Sequence, residues 1–184
     1  MVRRTIVMFA AILCLVSMTA FADTIGIYDD PTGIDCNIID DTIGLKSVYV
    51  VHLAPSGATA SEFSAPKPAC WTTATWLSDT VAFEMPGNSQ VGISIGYGIC
   101  QLGPSIHILT INYFVQGDGE PCCQYPVLPH PSWPDAIHVV DCDNNLLPAT
   151  GLVATINTDS TCPCGYPVPV EDTTWGKVKN LYSQ

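Results

Sequence analysis

The chain has 184 residues with 17 acidic and six basic side chains, a formal charge of −11 and an apolar fraction of 47%. That length suits one ordinary domain with a real core. The charge excludes nucleic acid as a partner, and it disfavours anionic membranes, phosphates and sulfated glycans, because each of these needs a basic footprint.

The N-terminus comes first in chain order. Arg3 and Arg4 precede an apolar run from Thr5 to about Thr19, and Ala20-Phe21-Ala22 follows as a small-x-small cleavage site. This is the layout of a secretory signal peptide over residues 1–22, with the mature chain starting at Asp23. Leu13 is too bulky, and Cys14 too early, for a lipoprotein box, and the very short n-region favours the general export route over the twin-arginine route. Losing both arginines leaves Lys46, Lys67, Lys177 and Lys179 against all 17 acids, so the mature charge drops from −11 to −13 with no arginine. Past the leader no apolar run approaches the ~20 residues of a membrane span.

Eight cysteines remain after the leader: Cys36, Cys70, Cys100, Cys122, Cys123, Cys142, Cys162 and Cys164. An even count in an exported chain reads as disulfides, and spacing does not choose among the pairings. Vicinal Cys122 and Cys123 are expected to send bridges in different directions. Thiolate metal binding by Cys122-Cys123 or Cys162-Pro163-Cys164 is the rival reading, and an oxidising compartment weighs against it.

The body alternates apolar and polar residues with period two, the mark of strands with one buried face. Runs of this kind lie at Thr24–Tyr28, Ser47–Leu53, Thr59–Ala65, Thr80–Met85, Val91–Ile99, Leu109–Val115, Ala136–Asp141 and Leu152–Ile156. Pro86-Gly87-Asn88-Ser89 is expected to turn a hairpin. Gly119–Pro134, with five prolines and two adjacent cysteines, is expected to be an irregular stapled loop. About seven to nine strands, frequent turns and no helical pattern in the body predict an all-β antiparallel sandwich over residues 23–166. A proline-rich linker, 167–172, follows. Trp175, Val178, Leu181 and Tyr182 then recur at helical spacing, which predicts a short amphipathic helix over 173–184 and a docking face on it.

Candidate sites are sparse. Asp141, Asp143 and Asn145 alternate oxygen ligands as a calcium loop begins, but the glycine and the terminal acid of an EF-hand are missing. Calcium is the one cofactor this pattern raises, with solvated turn residues as the competing reading. His52, His107 and His138 fall within strands and are expected on the solvent side of the sheet, while His130 sits in a loop. There is no Gly-x-Ser-x-Gly elbow and no His-Glu-x-x-His helix. Glu62, Glu84, Glu120 and Glu171 show no spacing that marks a glycosidase pair. Trp71 follows Cys70 and is expected in the core against a disulfide. Trp76 and Trp133 are left as binding candidates, since tryptophan faces stack on sugars without needing a basic residue.

Thr59–Ala65, Val91–Gly98 and Ile106–Gly117 resemble successive strands of a cohesin-like, immunoglobulin-like bacterial sandwich, over Ser47–Gly117. The cysteines are not part of that pattern. The chain as a whole resembles exported bacterial cysteine-rich β-sandwich proteins that end in a Thr-Thr-Trp-Gly-x-x-Lys-x-Leu-Tyr tail, here Thr173–Tyr182. That likeness implies a secreted bacterial protein of the periplasm, cell surface or extracellular space, and it carries no site residues. The expected function is a non-enzymatic exported module that binds a protein or surface partner. Neutral-glycan binding and a small secreted hydrolase are the alternatives.

Overall fold

The computed structural model describes residues 23–54 and 56–164, and all secondary structure there is β. The leader 1–22, the linker 167–172 and the tail 173–184 with Trp175, Val178, Leu181 and Tyr182 lie outside the described residues. Twelve strands are described: β1 (Thr24–Tyr28), β2 (Asn37–Ile38), β3 (Gly44–Leu53), β4 (Ala58–Phe63), β5 (Ala74–Thr80), β6 (Gly87–Asn88), β7 (Gly92–Gln101), β8 (Ile106–Val115), β9 (Cys123–Pro126), β10 (Ile137–Asp141), β11 (Leu146–Gly151) and β12 (Val153–Ile156).

Two layers make a sandwich. One runs β5-β8-β3-β1, the other β10-β4-β7-β6, and β11 joins them by pairing antiparallel with β10 and parallel with β1. A smaller sheet, β2-β12-β9, adds a third group of strands. The alternation read in the sequence explains the layers. Ile93, Ile95 and Tyr97 of β7, Phe63 of β4 and Val139 of β10 enter one buried cluster with Ile25, Ile27, Val48, Val50, Ile111 and Tyr113 from the other layer. Residues 146–156 form one path bent at Leu152, which donates to the Ile25 carbonyl while its own carbonyl accepts from Val127. Gly151 permits the bend, because a Cβ there would lie 2.2 Å from the Val127 carbonyl oxygen.

Four bridges join Cys36 to Cys164, Cys70 to Cys123, Cys100 to Cys142, and Cys122 to Cys162. The vicinal pair diverges: Cys123 ties the core to the 70s segment, and Cys122 ties the loop to the chain's last described turn. Among the described residues no helix is long and apolar enough to cross a membrane.

Four expectations are corrected. The alternating run Thr80–Met85 is not a strand beyond Thr80. It is a connection held by one isolated bridge, Glu84 to Gly96, with Val81, Phe83 and Met85 packed on the core. The strand that carries this edge is β5, whose Thr75, Leu77, Ser78 and Asp79 show weak alternation because a register shift between Trp76 and Ser78 breaks it. The hairpin turn falls at Ser89–Val91, since Gly87 and Asn88 already pair with Ile93 and Gly92. Part of Gly119–Pro134 is ordered as β9, which pairs with β12.

His52 is the fourth correction. It shares the parity of the buried Val48 and Val50 on β3 and pairs with Ile25 of β1, so its side chain faces the core, and it is fully buried instead of solvent-facing. Nδ1 lies 2.9 Å from the Tyr97 hydroxyl, and Nε2 lies 3.7 Å from an Asp23 carboxylate oxygen. Burial holds the imidazole pKa down to about 4, while burial, followed by the Asp141 charge, raises that of Asp23. An unfolded histidine titrates near 6.5. Between roughly pH 6.5 and 4 the unfolded chain therefore binds the extra proton, and stability falls as pH drops through that window. The wild type is expected to lose about 2 kcal/mol more than His52→Gln between pH 7.5 and 5, measured by urea unfolding at each pH. Equal losses in the two proteins would show that His52 is not the group responsible.

Candidate functional site

The outer face of β10-β4-β7 carries a groove of about 350 Å³. Period two sends Phe63, Ile95 and Val139 into the core, so Ala60, Glu62, Ser94, Gly96, His138 and Val140 face outward. Register arranges them in two rows across the strands. One reads Pro148, His138, Glu62, Ser94, and the other reads Leu146, Val140, Ala60, Gly96. The bridge between Glu84 and Gly96 brings a second carboxylate to the open side of β7. Glu84 also lines a neighbouring hollow of about 400 Å³ with Phe83, Gly96 and Gly98.

The floor is therefore made of small outward residues, Ala60, Ser94 and Gly96. Leu146 and Val140 wall one side, and Glu84 and Pro86 wall the other. Ser94 Oγ donates to Glu62 Oε1 at 3.1 Å. His130 Nδ1 accepts the Ser132 N–H at 3.1 Å and lies 3.6 Å from the same Glu62 oxygen. The His130 ring covers Gly92, where a Cβ would meet Nε2 at 2.4 Å, so a side chain there would push the ring off the groove's end. Trp133 is 55% exposed, and its ring stands edge-on to His138 at 6.1 Å. The serine donates to a carboxylate and not to a histidine, so this contact is not a Ser–His pair. The groove offers a small-residue floor for close approach, an aliphatic wall, and two carboxylates that can accept hydrogen bonds.

The other sequence candidates are dispersed. Trp71 is fully buried beside the Cys70–Cys123 bridge, with its indole N–H donating to Asp40 at 2.6 Å. Trp76, on β5 in the other layer, is half-buried, with its N–H on Asp79 at 3.1 Å. Nothing brings Trp76 and Trp133 together. Asp141 spends its carboxylate on its own turn, accepting from the Asp143 and Asn145 N–H groups and from the Asn145 amide. Those bonds, with the Asn145 side chain first, lower its pKa. Cys122, Cys162 and Asp159 cluster closely, but the two sulfurs are bonded to each other and are not thiolates. His107 is exposed and contacts Thr110 Oγ1 and the Leu109 carbonyl. Sequence reasoning missed the groove as a unit. Its signal was outward residues at alternate positions of two runs, Ala60-x-Glu62 and Ser94-x-Gly96, three of them small, and only register shows that these are neighbours.

No protein-family model and no curated protein sequence matches the chain. Similar solved structures include a cohesin–dockerin complex from Clostridium thermocellum, Coh-OlpA-Doc918, at 14% identity and TM-score 0.49, covering 75% of this chain and 99% of that one. A non-cellulosomal cohesin from Archaeoglobus fulgidus is similar at 11% identity and TM-score 0.46, covering 76% of this chain and 93% of that one. The major pilin subunit of Bacillus cereus is similar at 8% identity and TM-score 0.44, covering 74% of this chain and 40% of that one. Fold does not decide function, which resides in the site.

Proposed function

We propose that this is an exported, disulfide-braced binding module without catalytic activity, and that the β10-β4-β7 groove takes a protein partner. The supporting observation is the groove itself: a floor of Ala60, Ser94 and Gly96 beside an exposed Leu146, with carboxylates at Glu62 and Glu84. Small residues let a partner's backbone or side chain come close, and the aliphatic wall offers apolar area to bury. The four bridges fit an oxidising compartment and hold the scaffold rigid, which lowers the ordering cost of binding.

Gly96 supplies the test. Its added Cβ would meet nothing within 4 Å, so Gly96→Leu fills the groove without disturbing the core. A displayed peptide library selected on the oxidised protein is expected to yield binders whose affinity falls roughly tenfold or more on Gly96→Leu. Binders indifferent to that change would place recognition elsewhere.

The exposed Trp133 at the groove's end supports a second reading, a neutral-glycan site with the indole as stacking platform. On that reading a glycan array gives binding that Trp133→Ala abolishes, and the peptide library enriches nothing.

A further inference from the structure

The opposite outer face, on β3-β8-β5, has a different character. Register sets Leu45, Phe114 and Thr75 in one row, Ser47, Asn112 and Ser78 in the next, and Tyr49, Thr110 and Thr80 in the third. None of these nine side chains carries a formal charge. Asp79, the acid of β5, turns away to Ser89 and Trp76, and Lys46 at the margin is paired with Asp29. In a mature chain of −13 this is a neutral window.

Ser47, Ser78, Thr80, Thr110 and Asn112 already bond to neighbours on this face. Ser47 Oγ donates to Asn112 Oδ1 at 2.8 Å, the Asn112 amide donates to Thr80 Oγ1 at 3.1 Å and to Ser78 Oγ at 3.4 Å, and His107 bonds Thr110. A satisfied ladder can be covered without leaving orphaned polar atoms, whereas a glycan would need those donors and acceptors free. Large apolar side chains flank the ladder. Leu45 is 80% exposed, Leu77 47% and Phe114 39%, with Leu77 pushed outward at the β5 register shift.

We infer that this face is where a second copy of the chain docks, two-fold and face to face. Charge selects the occupant. Two bodies of −13 repel wherever their acids meet, and at physiological ionic strength that repulsion reaches only about 8 Å, so the local charge decides. Apposing this face with itself brings no like charges together, and a two-fold contact requires such a self-compatible surface. The inference is independent of the groove, which lies on the other layer and stays open in such a dimer.

The test is sedimentation equilibrium of the oxidised secreted protein across a concentration series, in low and high salt. The expected result is a monomer–dimer equilibrium that high salt does not weaken, with the dissociation constant raised tenfold or more by Phe114→Glu and by Leu45→Glu. Val91→Glu, at a position 65% exposed on the other layer, is expected to leave it unchanged. Thermal melts of the three variants confirm that each is folded. A monomer up to about 1 mM overturns the inference. So does a dimer that ignores Phe114→Glu and Leu45→Glu, which would place the contact on the groove or the tail. A monomer whose Asn112 and Thr110 amide resonances shift with a neutral oligosaccharide overturns it in favour of a glycan surface.

Discussion

Trp71→Ala is expected to be the most damaging single substitution among the described residues, costing about 3–5 kcal/mol of unfolding free energy. Trp71 is the largest fully buried side chain among the described residues. Its ring centre lies 4.7 Å from that of Tyr113 and 6.0 Å from that of Tyr125, and those two hydroxyls meet at 2.6 Å. Truncation would leave a void that the two remaining rigid rings and the Cys70–Cys123 bridge cannot close. It would also strip the buried Asp40 of its indole donor, leaving Thr73 as its remaining side-chain partner at 2.7 Å. Trp71→Phe separates the two effects. It keeps most of the volume and loses only the hydrogen bond, for an expected cost of roughly 1–3 kcal/mol. Urea unfolding followed by tyrosine and tryptophan fluorescence measures both. Near-equal losses in the two variants would mean that the Asp40 bond, and not packing, holds this region.

Removal of the Cys36–Cys164 bridge is the second large effect. The two residues are 128 positions apart, the widest separation of the four bridges. In the loop-entropy account, closing a loop of that size removes about 4–5 kcal/mol of freedom from the unfolded chain. Cys36→Ser with Cys164→Ser is expected to lower stability by up to that amount, with the folded spectrum unchanged, because Cys36 and Cys164 sit outside the main cluster. Replacing Cys122 and Cys162, 40 positions apart, should cost somewhat less. Differential scanning calorimetry on the two double variants gives the comparison. The same loss from both, or a larger loss from the shorter loop, would show that native-state contacts outweigh chain entropy here.

The outcome for individual residues shows where local pattern is a sufficient guide. Ile93–Tyr97 and Leu109–Val115 were legible as strands because both lie in long strands with one face on the core, so every second residue there had to be apolar. Trp71 was legible as core from its place beside Cys70. The run Thr80–Met85 misled for a physical reason. Alternation reports that every second side chain is buried, and Val81, Phe83 and Met85 are indeed packed on the core, but a connection lying on the sandwich edge can bury alternate residues without pairing its backbone. His52 misled because its polar type was read as solvent-facing, although it stands at the same parity as Val48 and Val50 and therefore on their buried face.

The groove was legible only in pieces. Glu62 and Glu84 stood out as carboxylates, His130 and His138 as histidines, and Trp133 as an aromatic in a loop. They are neighbours because β4 lies between β10 and β7, and because the chain after β5 returns along the free side of β7. The neutral face of β3-β8-β5 has the same origin. Ser47, Ser78 and Asn112 are ordinary polar residues until register sets them side by side.

The sequence by itself determined the all-β class, the acidic and arginine-free balance of the body and its braced character. Each follows from composition or from neighbours within a few residues, which local chemistry controls. Tertiary structure alone decided which cysteines pair, which carboxylates share a groove and which face is free of charge. Each depends on contacts between residues 30 to 130 positions apart, and those are set by strand order and register, which the energy of the whole core selects.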